Sequence, residues 1–311
     1  MEIKKFNSIL ETEIKRFNPN LKENTITRYR QLLTKLYNNV LNGINTFDIG
    51  NFETQKNKFI KYLNNIQATD ARRFLSAIYS ILPNDKDYLD LKNEIYTEAT
   101  KIYESKEKNE KQQEQSITMQ EVEEKFKLYE GKAKKIYKKG IMDLTPEDYQ
   151  DLQSYIILSM NTLINPRRSL DLTEFKIRNI NKNKDNYLMN NHIIFNTYKG
   201  STNKKGTGKG EQIITVPTKL KNILNQYINI NPTDYLLFTL HYKPLTVSQL
   251  TKKLNSIFDN RKISINEIRH AYFTENLGTE FYEANDKLDK IDNEMKKSGS
   301  SIKSIKNYIK F

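Results

Sequence analysis

The sequence predicts a mainly α protein with a small antiparallel β-sheet (α+β), divided into two domains. Three observations carry this. Apolar residues recur at spacings of three and four before residue 104 and again after Thr118, the period of helices with one buried face. One region, between Tyr187 and Pro217, is instead rich in Ile, Tyr, Phe and Thr with turn residues at its breaks, the mark of short strands. Between the helical blocks, residues 104–115 contain no apolar side chain, so that run can bury nothing.

The first domain is expected over residues 1–103. Thr25 is placed to cap a helix in which Ile26, Tyr29, Leu32, Leu33 and Leu36 share a face. Phe59, Ile60, Tyr62 and Leu63 mark another. Phe74, Leu75, Ile78, Ile81 and Leu82 mark a third, stopped by Pro83. Ile95, Ala99, Ile102 and Tyr103 suggest one more. A bundle of four or five helices fits this pattern. Residues 104–117 read as a linker, because a fresh helix start follows: Thr118 and Glu121 form a capping box ahead of Val122, Phe126 and Tyr129.

The second domain, 118–311, continues with Thr145-Pro146 opening a helix through Leu152, Tyr155, Ile156 and Met160 to a stop at Pro166. Residues 187–189 and 192–197 read as strands joined at Asn190-Asn191, and residues 212–217 as the returning strand after a Gly/Lys-rich loop. Helical spacing resumes in Leu220, Ile223, Leu224 and Tyr227, then Leu250, Leu254 and Phe258, then Ile265, Ile268, Tyr272 and Phe273.

Composition narrows the chemistry. A net charge of +13 favours a polyanionic partner, since each phosphate neutralised by Lys or Arg releases condensed counterions. Richness in Lys, Asn and Ile also follows from an AT-rich genome, such as that of a mobile element or virus. With no cysteine, disulfides, thiolate metal sites and cysteine nucleophiles are excluded. His192, His241 and His270 are far apart and show no metal-ligand spacing. No apolar run approaches a membrane span and no secretory signal is evident. We therefore expect a soluble intracellular protein, placed in host cytoplasm or nucleus if virus-borne. We expect no cofactor, metal, membrane or small-molecule substrate.

Four residues in the last 150 positions fit one phosphate-handling site: Arg168, Lys199, Arg269 and Tyr308. Cleaving a phosphodiester with side chains needs fixed cations for the pentacoordinate phosphorane, a proton for the leaving oxygen and an in-line nucleophile. Arg suits the first task, because its planar fork pairs with two phosphate oxygens and stays charged. Each residue also has a plainer reading. Arg167 rivals Arg168, Lys199 is one of several lysines in its loop, and Tyr308 is one of 19 tyrosines.

Residues 165–308 resemble the catalytic domain of the tyrosine recombinase (phage- and virus-type integrase) family. The carriers are Arg168-Ser169-Leu170-Asp171-Leu172, Lys199 beside Gly200, Arg269-His270, and Tyr308 after Met295 and a Ser-rich run. The resemblance implies a helical core-binding domain at residues 1–103 and a catalytic domain at 118–311. It implies DNA cut and rejoined through a 3′-phosphotyrosyl link without ATP or metal. Double-stranded DNA would be the partner, and a homo-oligomer, tetrameric on paired sites, the working form.

The sequence departs from the family pattern at two positions. Asn266 stands where the family usually has His, and no His or Trp follows near Met295; Lys297 is the candidate there. The expected catalytic set is thus Arg168, Lys199, Asn266, Arg269, Lys297 and Tyr308, with Lys199 carrying more of the general-acid duty. Two alternatives stay open: a type IB topoisomerase or telomere resolvase on the same fold, and a catalytically decayed DNA-binding protein.

Overall fold

The computed structural model describes residues 2–41, 47–104, 113–198 and 210–297. The chain forms two compact units, Met1–Lys108 and Asn109–Phe311. It is mainly helical with one four-stranded sheet.

Among the described residues, the first unit holds α1 (Ile3–Phe17), α2 (Glu23–Val40), α3 (Asn51–Thr54), α4 (Lys56–Asn64), α5 (Ala68–Tyr79) and α6 (Lys86–Glu104). Phe6, Leu10 and Ile14 recur every four residues, so α1 buries one stripe. α2 starts three residues earlier than the Thr25 cap suggests, with Lys22 at the cap position and no side-chain cap bond. Phe6, Tyr37, Phe52 and Phe59 form an aromatic centre with ring centroids 4.8–6.4 Å apart. The Tyr88 hydroxyl donates to the Phe52 carbonyl at 2.7 Å, which satisfies a buried polar group that would otherwise oppose folding.

In the second unit, α7 (Met119–Ile136) and α8 (Pro146–Thr162) begin with the capping boxes Thr118/Glu121 and Thr145/Asp148. Such a cap is worth about 1 kcal/mol. Helix α8 is buried continuously from Leu152 to Asn161, making it the central element of this unit. Gln153, fully buried within it, accepts the Phe238 amide at 2.9 Å.

After α8 come α9 (Ser169–Thr173), β1 (Phe175–Lys176), β2 (Asn186–Met189), β3 (His192–Phe195) and β4 (Gln212–Thr215). Strands β2, β3 and β4 are antiparallel, with Tyr187 opposite Ile194 and Ile194 opposite Ile213. Asn190 takes a positive φ of 54° at the β2–β3 turn, a conformation Asn tolerates better than most residues. The sheet is mixed rather than wholly antiparallel, because β1 runs parallel to β2. Two residues are too few to show alternation, and β1 is fixed by non-local bonds: the Leu236 amide donates to the Phe175 carbonyl at 2.9 Å.

Helices α10 (Thr218–Ile230), α11 (Val247–Ile257) and α12 (Ile265–Lys297) complete the unit. Helix α12 buries Ile265, Ile268 and Ala271. It then continues far past the short helix expected there, and almost every residue from Phe273 to Lys297 is exposed. Among the described residues, no helix is long and apolar enough to cross a membrane.

Candidate phosphate-binding site

The loop between α8 and α9 carries two adjacent arginines with opposite fates. Arg167 is anchored. Its Nε donates to Asp171 Oδ2 at 2.7 Å and its Nη2 to Gln212 Oε1 at 2.9 Å. The guanidinium also lies 4.3 Å from the Phe195 ring centroid. It therefore ties α9 to the paired strands β3 and β4. Arg168 caps α9 by position only; its side chain is exposed and has no hydrogen bond or ion pair among the described residues.

Asp171 sits beneath this pair, 3% exposed, with no hydrogen-bond partner for Oδ1 among the described residues. Burial pushes its carboxyl above the usual range, against the opposing pull of Arg167 and Arg168. Its backbone carbonyl accepts from Asn186 Nδ2 at 3.0 Å. Asn186, itself fully buried, also donates to the Thr197 carbonyl and accepts the amides of Asn196 and Thr197 at 2.8–2.9 Å. One amide side chain thus fixes the end of β3 to the arginine loop. The Tyr198 hydroxyl then donates to the Gly210 carbonyl at 2.7 Å, holding together the two ends of the loop that starts at Lys199.

Arg269 reaches the same place from α12. Its Nε donates to the Pro166 carbonyl at 3.2 Å, and Tyr272 Oη donates to Asn165 Oδ1 at 2.6 Å. Burial, then the charge of Arg168, lowers the Arg269 pKa, with Asp171 opposing and Arg167 adding to the shift. Three guanidiniums are therefore gathered around one buried carboxylate. The surplus positive charge faces outward at Arg168, an arrangement that a phosphate dianion or diester oxygen pair relieves.

Of the expected set, the structure brings Arg168 and Arg269 together. Asn266, one helical turn before Arg269, is exposed, and its backbone amide donates to the capping Ser264 Oγ at 3.2 Å. Lys297 is not brought to them: it pairs with Glu294 at 2.6 Å and lies 28 residues beyond Arg269 on one continuous helix, about 42 Å along its axis. Lys199 and Tyr308 lie outside the described residues. The sequence reading missed the supporting residues Gln212, Asn186, Tyr198 and Asn165. Asn186 is the first residue of β2, just before the run read as a strand, so nothing in the sequence marks its amide as buried.

No family model matches the sequence, and no curated protein matches it. Among solved structures, the chain is similar to XerA recombinase at 15% identity, covering 89% of this chain and 85% of that one, with a TM-score of 0.32. Lambda integrase bound to DNA is similar at 13% identity, covering 90% and 89%, with a TM-score of 0.45. A lambda integrase dimer bound to a COC′ core site matches at 13% identity, covering 90% and 71%, with a TM-score of 0.47. The likeness is distant. The functional reading below rests on the site itself.

Proposed function

We propose that this chain is a site-specific DNA recombinase or integrase that cuts and rejoins double-stranded DNA through a 3′-phosphotyrosyl intermediate. In this reading residues 1–103 bind DNA, 104–117 link, and 118–311 perform the chemistry. The single observation that carries it is Arg168, exposed and with no side-chain hydrogen bond or ion pair among the described residues, beside half-buried Arg269, over the Arg167–Asp171 floor.

Arg168 and Arg269 would each take a non-bridging oxygen of the scissile phosphate and neutralise charge as the phosphorane forms. The Tyr308 oxygen would attack phosphorus and lose its proton to water; the bond from phosphorus to the 5′ oxygen breaks, and the Lys199 ammonium supplies that oxygen with a proton. Asn266 can donate a hydrogen bond to the phosphate. The phosphotyrosyl bond keeps the energy of the broken diester, so a second 5′ hydroxyl reverses the step without ATP. Work on paired sites as a tetramer belongs to the same proposal.

The experiment is covalent trapping on a nicked suicide substrate. Wild type should form a protein–DNA adduct that Tyr308→Phe abolishes while DNA affinity is retained, since only a hydroxyl is lost. An adduct persisting in Tyr308→Phe, or mapping to another tyrosine, removes the nucleophile from this scheme. No adduct from wild type leaves a DNA-binding protein on a decayed scaffold. Relaxation of supercoils by single protomers, with no need for paired sites, would instead make it a topoisomerase.

A further inference from the structure

Two arginines stand side by side at the start of α9, and the phosphate site proposed above, on which this inference rests, uses only one of them. Arg167 and Arg168 carry the same charge and the same planar fork, and a fork within reach of a phosphate oxygen pairs with it. Burial does not keep Arg167 back, since its side chain is 18% exposed. Asp171 does not hold it fully either. A carboxylate can grip an arginine with both oxygens. Here Oδ2 takes Nε at 2.7 Å, and Oδ1 has no hydrogen-bond partner among the described residues. One bond at Nε leaves the far end of the fork to be held by another group.

The sheet supplies that group. Arg167 Nη2 donates to Gln212 Oε1 at 2.9 Å, and the guanidinium carbon lies 4.3 Å from the Phe195 ring centroid. Phe195 and Gln212 are register partners across β3 and β4. One cross-strand pair therefore offers a ring face and an acceptor to the same guanidinium. Phe195 is fully buried, so it cannot follow the arginine if the fork turns outward. Arg168 meets neither residue: its side chain is exposed, with no hydrogen bond or ion pair among the described residues. The difference between the two arginines thus comes from the sheet, not from their own loop.

We infer that Gln212, with Phe195 beside it, is a positioning residue that turns the Arg167 fork away from the phosphate, so that Arg168 and Arg269 alone hold it. Without this clamp the freed end of Arg167 takes a phosphate oxygen of its own. DNA is then held as well or better, but with phosphorus drawn off the line of attack. A contact made in the ground state at the expense of transition-state geometry lowers the rate without lowering affinity.

Two substitutions at one position test this in the full chain. Gln212→Val removes the acceptor and keeps a good strand former, whereas Gln212→Glu keeps an acceptor. Gln212→Val should bind duplex DNA at least as tightly as wild type, with a log–log salt slope steeper by about 0.9 for the added phosphate contact. On the nicked suicide substrate at saturation its adduct should form about tenfold or more slowly, and Gln212→Glu should behave as wild type. Heteronuclear NMR signals of arginine Nε, assigned with Arg167→Lys and Arg168→Lys, read the fork directly. Titration with inorganic phosphate should shift the Arg168 and Arg269 signals of wild type and leave that of Arg167 in place; in Gln212→Val all three should shift. An Arg167 signal that ignores phosphate in Gln212→Val overturns the inference. Affinity and rate falling together overturn it too, because that is the signature of a merely structural residue. If phosphate shifts no arginine signal in wild type, the phosphate site itself fails and this falls with it. If wild type binds phosphate but forms no adduct, the cleavage scheme fails, and the arginine signals still decide whether Gln212 holds Arg167 back.

Discussion

Arg269 Nε donates to the backbone carbonyl of Pro166 at 3.2 Å, so the cation on α12 is held against the loop that presents Arg168. A half-buried guanidinium beside two others is costly, and the backbone acceptor and Asp171 offset only part of it. The proposed phosphate would supply the missing counter-charge.

The two adjacent arginines should separate stability from chemistry. Arg167→Ala leaves the Asp171 carboxylate buried and unpaired, which should cost about 3 kcal/mol or more in urea denaturation. Arg168→Ala should change stability by less than about 0.5 kcal/mol while slowing adduct formation at least about a hundredfold. Were Arg168→Ala nearly silent in the trapping assay, the exposed cation would have no part in cleavage.

Asn186→Leu should act at a distance. It removes four hydrogen bonds that join the end of β3 to α9, leaving buried backbone groups unpaired at about 1–3 kcal/mol each. We expect a clear loss of stability, and cleavage at permissive temperature slowed along with it because the Lys199 loop is no longer held. Unchanged stability would mean that the backbone finds other partners.

Lys199 is expected to protonate the leaving 5′ oxygen. On a 5′-bridging phosphorothiolate, sulfur leaves without a proton, so Lys199→Ala should be slow on normal DNA and largely rescued there. Arg269→Ala should not be rescued. Equal slowness of Lys199→Ala on both substrates would reduce the lysine to an electrostatic contact and shift the acid role to Lys297.

Lys253 supplies a pH signature. Burial lowers its pKa to about 8, with Asp151 opposing, and its ammonium donates to Gln150 Oε1. The folded state thus holds this proton less tightly than the unfolded chain, where lysine titrates near 10.5. The penalty is fully present below pH 8, and stability should rise as pH climbs from about 8 to about 10.5. Lys253→Met should be more stable than wild type at pH 7, by about 1–3 kcal/mol, with the gap closing by pH 10.5. Parallel stability curves for the two proteins would rule this out.

The sequence by itself determined the elements and the charged residues worth attention. Thr118/Glu121 and Thr145/Asp148 announce helix starts because a capping box is a local hydrogen-bond pattern, and the region after Tyr187 shows strands because Ile, Tyr, Phe and Thr cluster there between turn residues. Arg168 and Arg269 stood out by their neighbours in sequence, and the folded chain brings the two together. Tertiary structure alone decided what depends on distant contacts. It assigned Arg167, not Arg168, to Asp171, since two adjacent arginines look alike until one is packed against Phe195. It made the sheet mixed, since β1 exists only through its bonds to β2 and to the 234–236 segment. It also carried α12 past Gly278 to Lys297, setting Lys297 far from the arginines of its own chain. Leu277, Phe281, Leu288 and Ile291 recur at helical spacing along that continuation, and only the folded chain shows them exposed.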